Sequence, residues 1–270
     1  MPGARIVSLV PSLTELLCEL GLGPQLVGRT GFCIHPRSQL AGIPKVGGTK
    51  TVNIARIRAL EPTHLVVNVD ENERATVEAL AEFIPQVVVT HPIELDDNLA
   101  LYRQFGEVFS VEHRARQLSE AFEQARVRAR ASAGSPVSVL YLIWRHPWMT
   151  ISPPTFISRM LAEVGLITWP SGSAQRYPSL EAAELAGAPV AAVLLSTEPY
   201  RFDKIDREAL RRLFKQRNDP GHHAPAFLSV DGEMTSWYGS RAIMGLDYLA
   251  GLRARIDVRL RQAVSARRVS

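Results

Sequence analysis

The chain has 270 residues, of which 46% are hydrophobic and 21% are charged, with a formal net charge of +4. This composition excludes the disordered class, and the length predicts two lobes of about 100 to 150 residues rather than one domain. The positive charge is concentrated in Arg-rich helical stretches without interleaved aromatic residues, so we expect no nucleic-acid partner. No run of about 18 apolar residues occurs, so we expect no membrane span.

The N-terminal residues, MPGARIVSLVPSLTELL, enter a strand-like apolar run almost at once. They lack the basic segment, long apolar segment and small-residue cleavage site of a secretory signal peptide. We therefore expect a cytoplasmic protein, or a periplasmic one if the N-terminus was trimmed or misassigned.

Short β-branched runs alternate with helical patterns in the first part of the chain, which indicates βαβ units on a parallel sheet. The runs include RIVSLV, QLVGRT, HLVVNV and QVVVT. Ser12 followed by Glu15 predicts a capping box that begins a helix directly after the first strand. Ligands of such sheets bind at the carboxyl edge of the strands, so we expect this helix start to face a ligand.

One long amphipathic helix is predicted between Ser110 and Ala131, where apolar residues recur alternately every four and three positions. Such a helix is about 30 Å long and forms a stiff connector, unlike a Gly/Ser hinge. The alternation then restarts at VSVLYLI and continues to a final helix beginning near Ser236. We therefore predict an N-terminal α/β lobe at 1–109, a linker helix at 110–133 and a C-terminal α/β lobe at 134–270.

Aromatic and polar residues are densest just after three predicted strands of the second lobe. They are Trp144, Arg145 and Trp148 after one strand, Glu198 and Tyr200 after another, and Trp237, Tyr238 and Arg241 after a third. The three turns should converge on one edge, where aromatic faces could cover a flat macrocycle and the arginines could meet its carboxylates, amides or phosphate. The alternative is that Trp144 and Trp237 only close the end of the lobe.

Six residues of the first lobe are further candidates for ligand contact. Ser12 and Thr14 lie at the start of the first helix, Phe32, Cys33 and His35 follow the second strand, and Thr49 ends the Gly-rich turn at 47–49. The turn could present backbone N–H groups to a ligand, or serve only as a turn. Cys33 and His35 could bind a soft metal ion or a corrinoid cobalt, because thiolate and imidazole are strong ligands. A buried thiol and a loop histidine are the alternative, so a metal role stays open.

The sequence contains no GxSxG elbow, no HExxH helix and no Walker loop. Cys33 with His35 is the one candidate pair of nucleophile and base, and no third orienting group is identified. We therefore predict a protein that is not an enzyme and requires no cofactor, with a Cys-dependent hydrolase as the weaker alternative. Cys18 is expected in the core, and His222 and His223 in an exposed loop.

Five segments in order carry a resemblance that covers nearly the whole chain. They are RIVSLVPSLTELL, VGGTKTVNIARIRALEPTHLVV, YLIWRHPWMT with TFISRMLAEVGL, LLSTEPYRF and DGEMTSWYGSR. Together they resemble the cobalamin-binding branch of the helical-backbone (class III) periplasmic substrate-binding proteins. The resemblance implies two Rossmann-like lobes joined by one long rigid α-helix, with a ligand cleft between the lobes. It also implies non-catalytic binding of cobalamin, or of a related corrinoid or metal chelate such as haem or a siderophore.

The resemblance further implies an ABC permease as partner, which the relatives reach through a surface glutamate on each lobe. The corresponding positions here are Ala55 and Ala182, so both docking carboxylates are absent, unless Glu181 replaces the second. The aromatic residue after the second strand is kept as Phe32, while the tryptophan expected near the Gly-rich turn is Thr49. A cytoplasmic corrinoid or chelate carrier or sensor, not coupled to a transporter, is the alternative function.

Overall fold

The computed structural model describes residues 3–215 and 224–267, which divide into two compact units. The first unit contains 3–92, 96–122 and 238–241, and the second contains 93–95, 123–215, 224–237 and 242–267. His222 and His223 lie outside the described residues. The expected limits of the lobes and of the linker stay a prediction.

The first unit is built on four strands, namely β1 (Ile6–Ser8), β2 (Leu26–Arg29), β3 (His64–Asn68) and β4 (Gln86–Thr90). All are parallel, in the spatial order β2, β1, β3, β4. Val7, Leu65 and Val67 are buried in one apolar cluster between this sheet and its helices. Both faces of a parallel sheet are covered, which explains why these strand segments are continuous apolar runs and do not alternate polar with apolar residues. The parallel sheet predicted from the sequence is confirmed.

Five helices accompany these strands, namely α1 (Pro11–Glu19), α2 (Arg37–Leu40), α3 (Ile54–Ala59), α4 (Arg74–Ala81) and α5 (Leu95–Phe109). The expected capping box of Ser12 and Glu15 is wrong, because α1 begins at Pro11 with Val10 as its N-cap and no side chain caps it. The fixed backbone angle of Pro11 suits the first helical position. The carboxylate of Glu15 pairs with Arg241 instead of with the helix start.

The predicted long helix is confirmed as α6 (Glu112–Ala131), and its residues are shared between the two units. It begins two positions after Ser110 because Ser110 adopts a left-handed backbone angle of φ 56°. The left-handed angle at Ser110 ends α5, a helix that the sequence pattern did not predict. It also lets the Val111 N–H donate a hydrogen bond to the Gly106 carbonyl at 2.9 Å. A side chain at Gly106 would meet Ala115 at 2.9 Å, so α5 and α6 pack closely there.

The second unit contains six strands, namely β5 (Val137–Trp144), β6 (Trp148–Thr150), β7 (Leu166–Thr168), β8 (Ser179–Leu180), β9 (Ala192–Ser196) and β10 (Ala226–Val230). Their order is β10, β9, β5, β6, β8, and β7 also pairs with β5. Because β5, β9 and β10 are parallel neighbours, their carboxyl ends meet at one edge. β6 is antiparallel to β5, so Trp148, which comes four positions after the end of β5, also begins the next strand.

The helices of the second unit are α7 (Phe156–Ala162), α8 (Ala182–Gly187), α9 (Lys204–Lys215), α10 (Gly232–Ser236) and α11 (Arg241–Arg267). The final helix expected near Ser236 is therefore two helices. Asp231 caps α10 by accepting a hydrogen bond from the Met234 N–H at 3.3 Å. Gly239, at φ 77°, turns the chain before α11 begins.

Candidate functional site

Four aromatic side chains at the carboxyl edge of the second unit form one contiguous group, the aromatic platform, composed of Trp144, Trp148, Tyr200 and Phe202. The ring of Tyr200 lies 5.4 Å from that of Trp144 and 5.0 Å from that of Phe202, both edge-on. Phe202 stacks on Trp148 at 6.3 Å, with planes 5° apart. Phe202 is buried in the core, whereas Trp144 is 39% exposed. The platform is thus anchored in the core and open at Trp144.

Arg145 lies against this platform but its charge is matched within the protein. Its guanidinium lies 5.0 Å from the centre of the Trp148 ring and forms an ion pair with Asp206 of α9. The Arg145 and Asp206 side chains are only 17% and 3% exposed. Asp206 also accepts a hydrogen bond from the Tyr200 hydroxyl at 3.1 Å. One carboxylate therefore ties the arginine and the tyrosine of the platform together.

Glu198 lies two positions after the end of β9, and Trp237 directly follows α10, the helix that comes after β10. The indole N–H of Trp237 donates to Glu198 Oε2 at 3.3 Å. The two loops approach closely at Gly232, where a Cβ atom would lie 2.8 Å from the Glu198 backbone nitrogen. This approach requires glycine. The three turns predicted from the sequence therefore bring Trp144, Arg145, Trp148, Tyr200, Glu198 and Trp237 to one edge of the sheet.

Tyr238 and Arg241 belong to the first unit rather than to the second-lobe cluster in which the sequence placed them. The Gly239 carbonyl between them accepts a hydrogen bond from the Tyr102 hydroxyl of α5 at 2.9 Å. Arg241 is buried and makes a two-point ion pair with Glu15. The Tyr238 hydroxyl donates to Glu71 Oε1 at 2.8 Å. Burial, followed by the charge of Glu71, raises the pKa of Tyr238 well above its usual value.

Thr14 and Cys33 are both buried in the first unit. The Thr14 and Thr30 hydroxyl oxygens lie 3.0 and 3.1 Å from the Cys33 sulfur. Burial raises the pKa of the Cys33 thiol, so the sulfur is protonated near neutral pH and is neither a good nucleophile nor a good metal ligand. The geometry favours the alternative of a buried thiol. Cys18 is likewise buried, as expected.

The remaining first-unit candidates differ in exposure. Ser12 is buried in the first turn of α1, His35 is half-buried, and Phe32 is 63% exposed. Thr49 is half-buried, and its carbonyl accepts a hydrogen bond from Asn72 Nδ2 at 2.9 Å. The Gly48 N–H donates to the Thr51 carbonyl at 2.9 Å, so that group closes the turn and is not directed at a ligand.

A metal site is not apparent among residues 3–215 and 224–267, where no group of three or more His, Cys, Asp and Glu side chains is arranged to hold a metal ion. Cys33 and His35 thus have no third such residue in that part of the chain.

Two important residues of this edge, Phe202 and Asp206, were not predicted. Phe202 lies two positions after Tyr200 in the segment LLSTEPYRF, a local signal that could have identified it. Asp203 and Asp206 are spaced as a capping pair, which predicts the start of α9 but not the ion pair with Arg145. That pair joins residues 61 positions apart.

The family model for the periplasmic binding proteins matches residues 6–216, well over half of the chain. The chain belongs to this family. As a periplasmic binding protein it is a ligand-binding protein and not an enzyme, so the Cys-dependent hydrolase is not favoured.

Two curated relatives are vitamin B12-binding proteins. That of Pectobacterium atrosepticum is 25% identical over 183 residues, which are 65% of this chain and 65% of the relative. That of Pectobacterium carotovorum is 24% identical over 205 residues, or 74% of this chain and 73% of the relative. The match therefore spans slightly less than two thirds of the length of the first relative.

Two solved structures share the fold over nearly the whole chain. The periplasmic heme-binding protein RhuT from Roseiflexus sp. RS-1, in its apo form, superposes with a TM-score of 0.79 at 20% identity, covering 94% of this chain and 99% of its own. The periplasmic vitamin B12-binding protein BtuF of Vibrio cholerae superposes with a TM-score of 0.76 at 16% identity, covering 95% and 98%. These likenesses confirm the two-lobed α/β fold of the class predicted.

The cytoplasmic location expected from the N-terminus is not supported, because the family whose model matches most of the chain is that of the periplasmic binding proteins. Within the described ranges of the chain, no helix is long and apolar enough to cross a membrane.

At the expected docking positions, Ala55 is exposed on α3 and Ala182 is exposed at the start of α8. Glu181, beside Ala182, forms a reciprocal capping box with Glu184.

Proposed function

We propose that this periplasmic binding protein binds cobalamin or a closely related corrinoid, with the aromatic platform of the second unit covering part of the ring. The contiguous platform at a carboxyl sheet edge, open at Trp144, is the observation that carries the proposal. Conjugated faces of this kind bind flat macrocycles by stacking and by burial of apolar area. The similarity to the vitamin B12-binding proteins of Pectobacterium supports this ligand class.

Polar groups beside the platform would orient the ligand. Glu198 and the indole N–H of Trp237 lie at the same edge of the sheet and can exchange hydrogen bonds with amides on the periphery of a corrinoid. In the first unit we propose Phe32 as an apolar contact, because a phenyl ring exposed to this degree on a loop gains free energy when a ligand covers it.

We further propose that the protein acts in the periplasm as the substrate-binding component of an ABC transporter. Family membership supports this role. The permease would have to recognise a surface without the carboxylates expected at Ala55 and Ala182, so a docking contact of different chemistry would be required. The alternative carrier or sensor role would use the same binding site.

The test is a titration of the purified protein with cyanocobalamin by isothermal calorimetry, because the absorbance of the ligand complicates a fluorescence titration. We expect saturable binding with a micromolar or lower dissociation constant. Haem, which the solved relative RhuT is named for binding, is the competing ligand to titrate in parallel. Failure of cyanocobalamin and every other corrinoid to bind would reject the ligand assignment and leave the fold unaffected.

A further inference from the structure

Asp206 is a buried carboxylate that contacts two residues beside the proposed ligand without itself being exposed at the platform. It forms the ion pair with Arg145 and accepts the hydrogen bond from the Tyr200 hydroxyl at 3.1 Å. It lies on α9, outside the three turns from which the sequence drew its candidates. Its effect on a ligand would therefore act through Arg145 and Tyr200.

The consequence of the ion pair is electrostatic. An arginine beside an aromatic ring is a common partner for the carboxylate of a ligand, because its planar fork can donate two parallel hydrogen bonds. Here the charge of Arg145 is balanced at contact distance by Asp206, and both side chains are largely buried. A ligand carboxylate that approached the platform near Trp148 would therefore meet the Arg145–Asp206 pair, which has no net charge. Glu198, on the next loop, adds negative charge to the same edge.

We propose that Asp206 is a specificity-determining residue that neutralises Arg145, so that the platform prefers a ring bordered by neutral amides to the same ring bordered by carboxylates. The proposal rests on the proposed function and narrows its ligand class to amidated corrinoids. Carboxylate-bearing corrinoids and haem would lose affinity because Arg145, already paired with Asp206, would not compensate the charge of their desolvated anionic groups.

A purely structural role is the competing explanation, since Asp206 also belongs to the capping box of α9. Its Oδ2 accepts from the Asp203 N–H at 3.0 Å, and Asp203 Oδ1 accepts from the Asp206 N–H at 2.9 Å. Loss of this box would weaken the helix start and lower the affinity for every ligand together. Loss of the neutralising charge would instead change the ratio of affinities for neutral and anionic ligands.

The experiment measures the dissociation constants of cyanocobalamin, which carries amides, and of dicyanocobyrinic acid, which carries carboxylates, for the wild type and for Asp206→Asn. The asparagine oxygen can still accept the Asp203 and Tyr200 hydrogen bonds, while the charge is removed. We expect the affinity ratio to shift toward cobyrinic acid by about tenfold, since a desolvated charge pair contributes at least that much.

Two further variants separate charge from folding. Asp203→Ala damages the same capping box without touching Arg145, so it should lower the melting temperature and leave the ratio unchanged. The double variant Arg145→Gln with Asp206→Asn replaces the ion pair by a neutral pair, and its ratio should return to within about twofold of the wild-type value. It also provides a folded comparison if Asp206→Asn alone proves unstable.

The outcomes distinguish this inference from the proposed function. Wild-type protein that binds cyanocobalamin, with an affinity ratio unchanged in Asp206→Asn, would overturn the role of Asp206 and leave the proposed function intact. Wild-type protein that binds neither corrinoid would overturn both. A wild-type preference for cobyrinic acid would also reject the specificity proposed here.

Discussion

Glu15 and Arg241 form a two-point ion pair inside the first unit, with nitrogen to oxygen distances of 2.6 and 2.7 Å. The side chains are 9% and 8% exposed and lie 226 positions apart in the sequence. The pair therefore joins the first helix of the chain to the first residue of the last. The sequence predicts Arg241 as a ligand contact, but its guanidinium is engaged by Glu15.

We expect Glu15→Gln to lower the free energy of unfolding by about 3 to 5 kcal/mol, because it leaves a buried guanidinium without its counter-charge. Urea denaturation of the purified variant measures the change. The double variant Glu15→Leu with Arg241→Met removes both charges and should recover much of the loss. A single variant as stable as the wild type would show that the pair is not formed in solution.

Trp144→Ala should weaken cyanocobalamin binding by about tenfold or more, because truncation of an exposed aromatic anchor removes the contact area that a ligand would cover. The melting temperature should change little, since the side chain is partly exposed. Trp169→Phe is the control, because Trp169 is a partly buried tryptophan that packs against the same core and is not a member of the platform. Equal losses in both variants would argue against the platform as the ligand site.

Both cysteines should resist a thiol-specific reagent in the native protein. Each is buried, and burial raises the pKa of the Cys33 thiol, so little reactive thiolate is present near neutral pH. If the labelling reaction is monitored by absorbance, both thiols should react slowly in the native protein and rapidly after denaturation. Cys33→Ser identifies which thiol is which. Rapid native labelling of Cys33 would restore its candidacy as a metal ligand or nucleophile.

Stability should fall in alkaline solution partly because of Cys18, whose pKa is raised by burial from 9.0 to about 11. The folded state holds this proton more tightly than the unfolded state, so the contribution is fully present below pH 9.0 and is lost as the pH rises toward about 11. Denaturant unfolding at several pH values should show a smaller alkaline loss for Cys18→Ala than for the wild type. The buried tyrosines account for part of the remaining loss. If the free energy of unfolding fell equally with rising pH in the wild type and in Cys18→Ala, the prediction would be contradicted.

The docking prediction concerns the exposed positions Ala55 and Ala182. Exported in a strain that lacks its own vitamin B12-binding protein, the unmodified chain should restore little uptake of the vitamin, because loss of a buried charged contact at an interface costs about 2 to 5 kcal/mol. Ala55→Glu combined with Ala182→Glu should improve uptake without changing cyanocobalamin affinity. Full uptake by the unmodified chain would show that docking does not need these carboxylates.

The sequence was sufficient for features that depend on local periodicity. Alternating β-branched and helical segments predicted the α/β class, and the four-and-three spacing of apolar residues predicted α6. A local signal for the start of α5 is also present in the sequence, since Asp96 and Asp97 lie in its first turn, where acidic side chains are favoured. The sequence pattern also predicted where three aromatic residues lie relative to neighbouring strands: Trp144 ends β5, Tyr200 follows β9, and Trp237 comes after β10, beyond the short helix α10.

Only the tertiary structure decided which charges meet. From the sequence, Arg145 and Arg241 are equally suitable partners for a ligand carboxylate. In the structure Arg145 pairs with Asp206, and Arg241 pairs with Glu15. The left-handed turn at Gly239 and the hydrogen bonds from α5 place Tyr238 and Arg241 in the first unit. Sequence periodicity reports which face of a strand or helix is buried, whereas ion pairs depend on distances between segments far apart in the chain, and those distances exist only once the chain is folded.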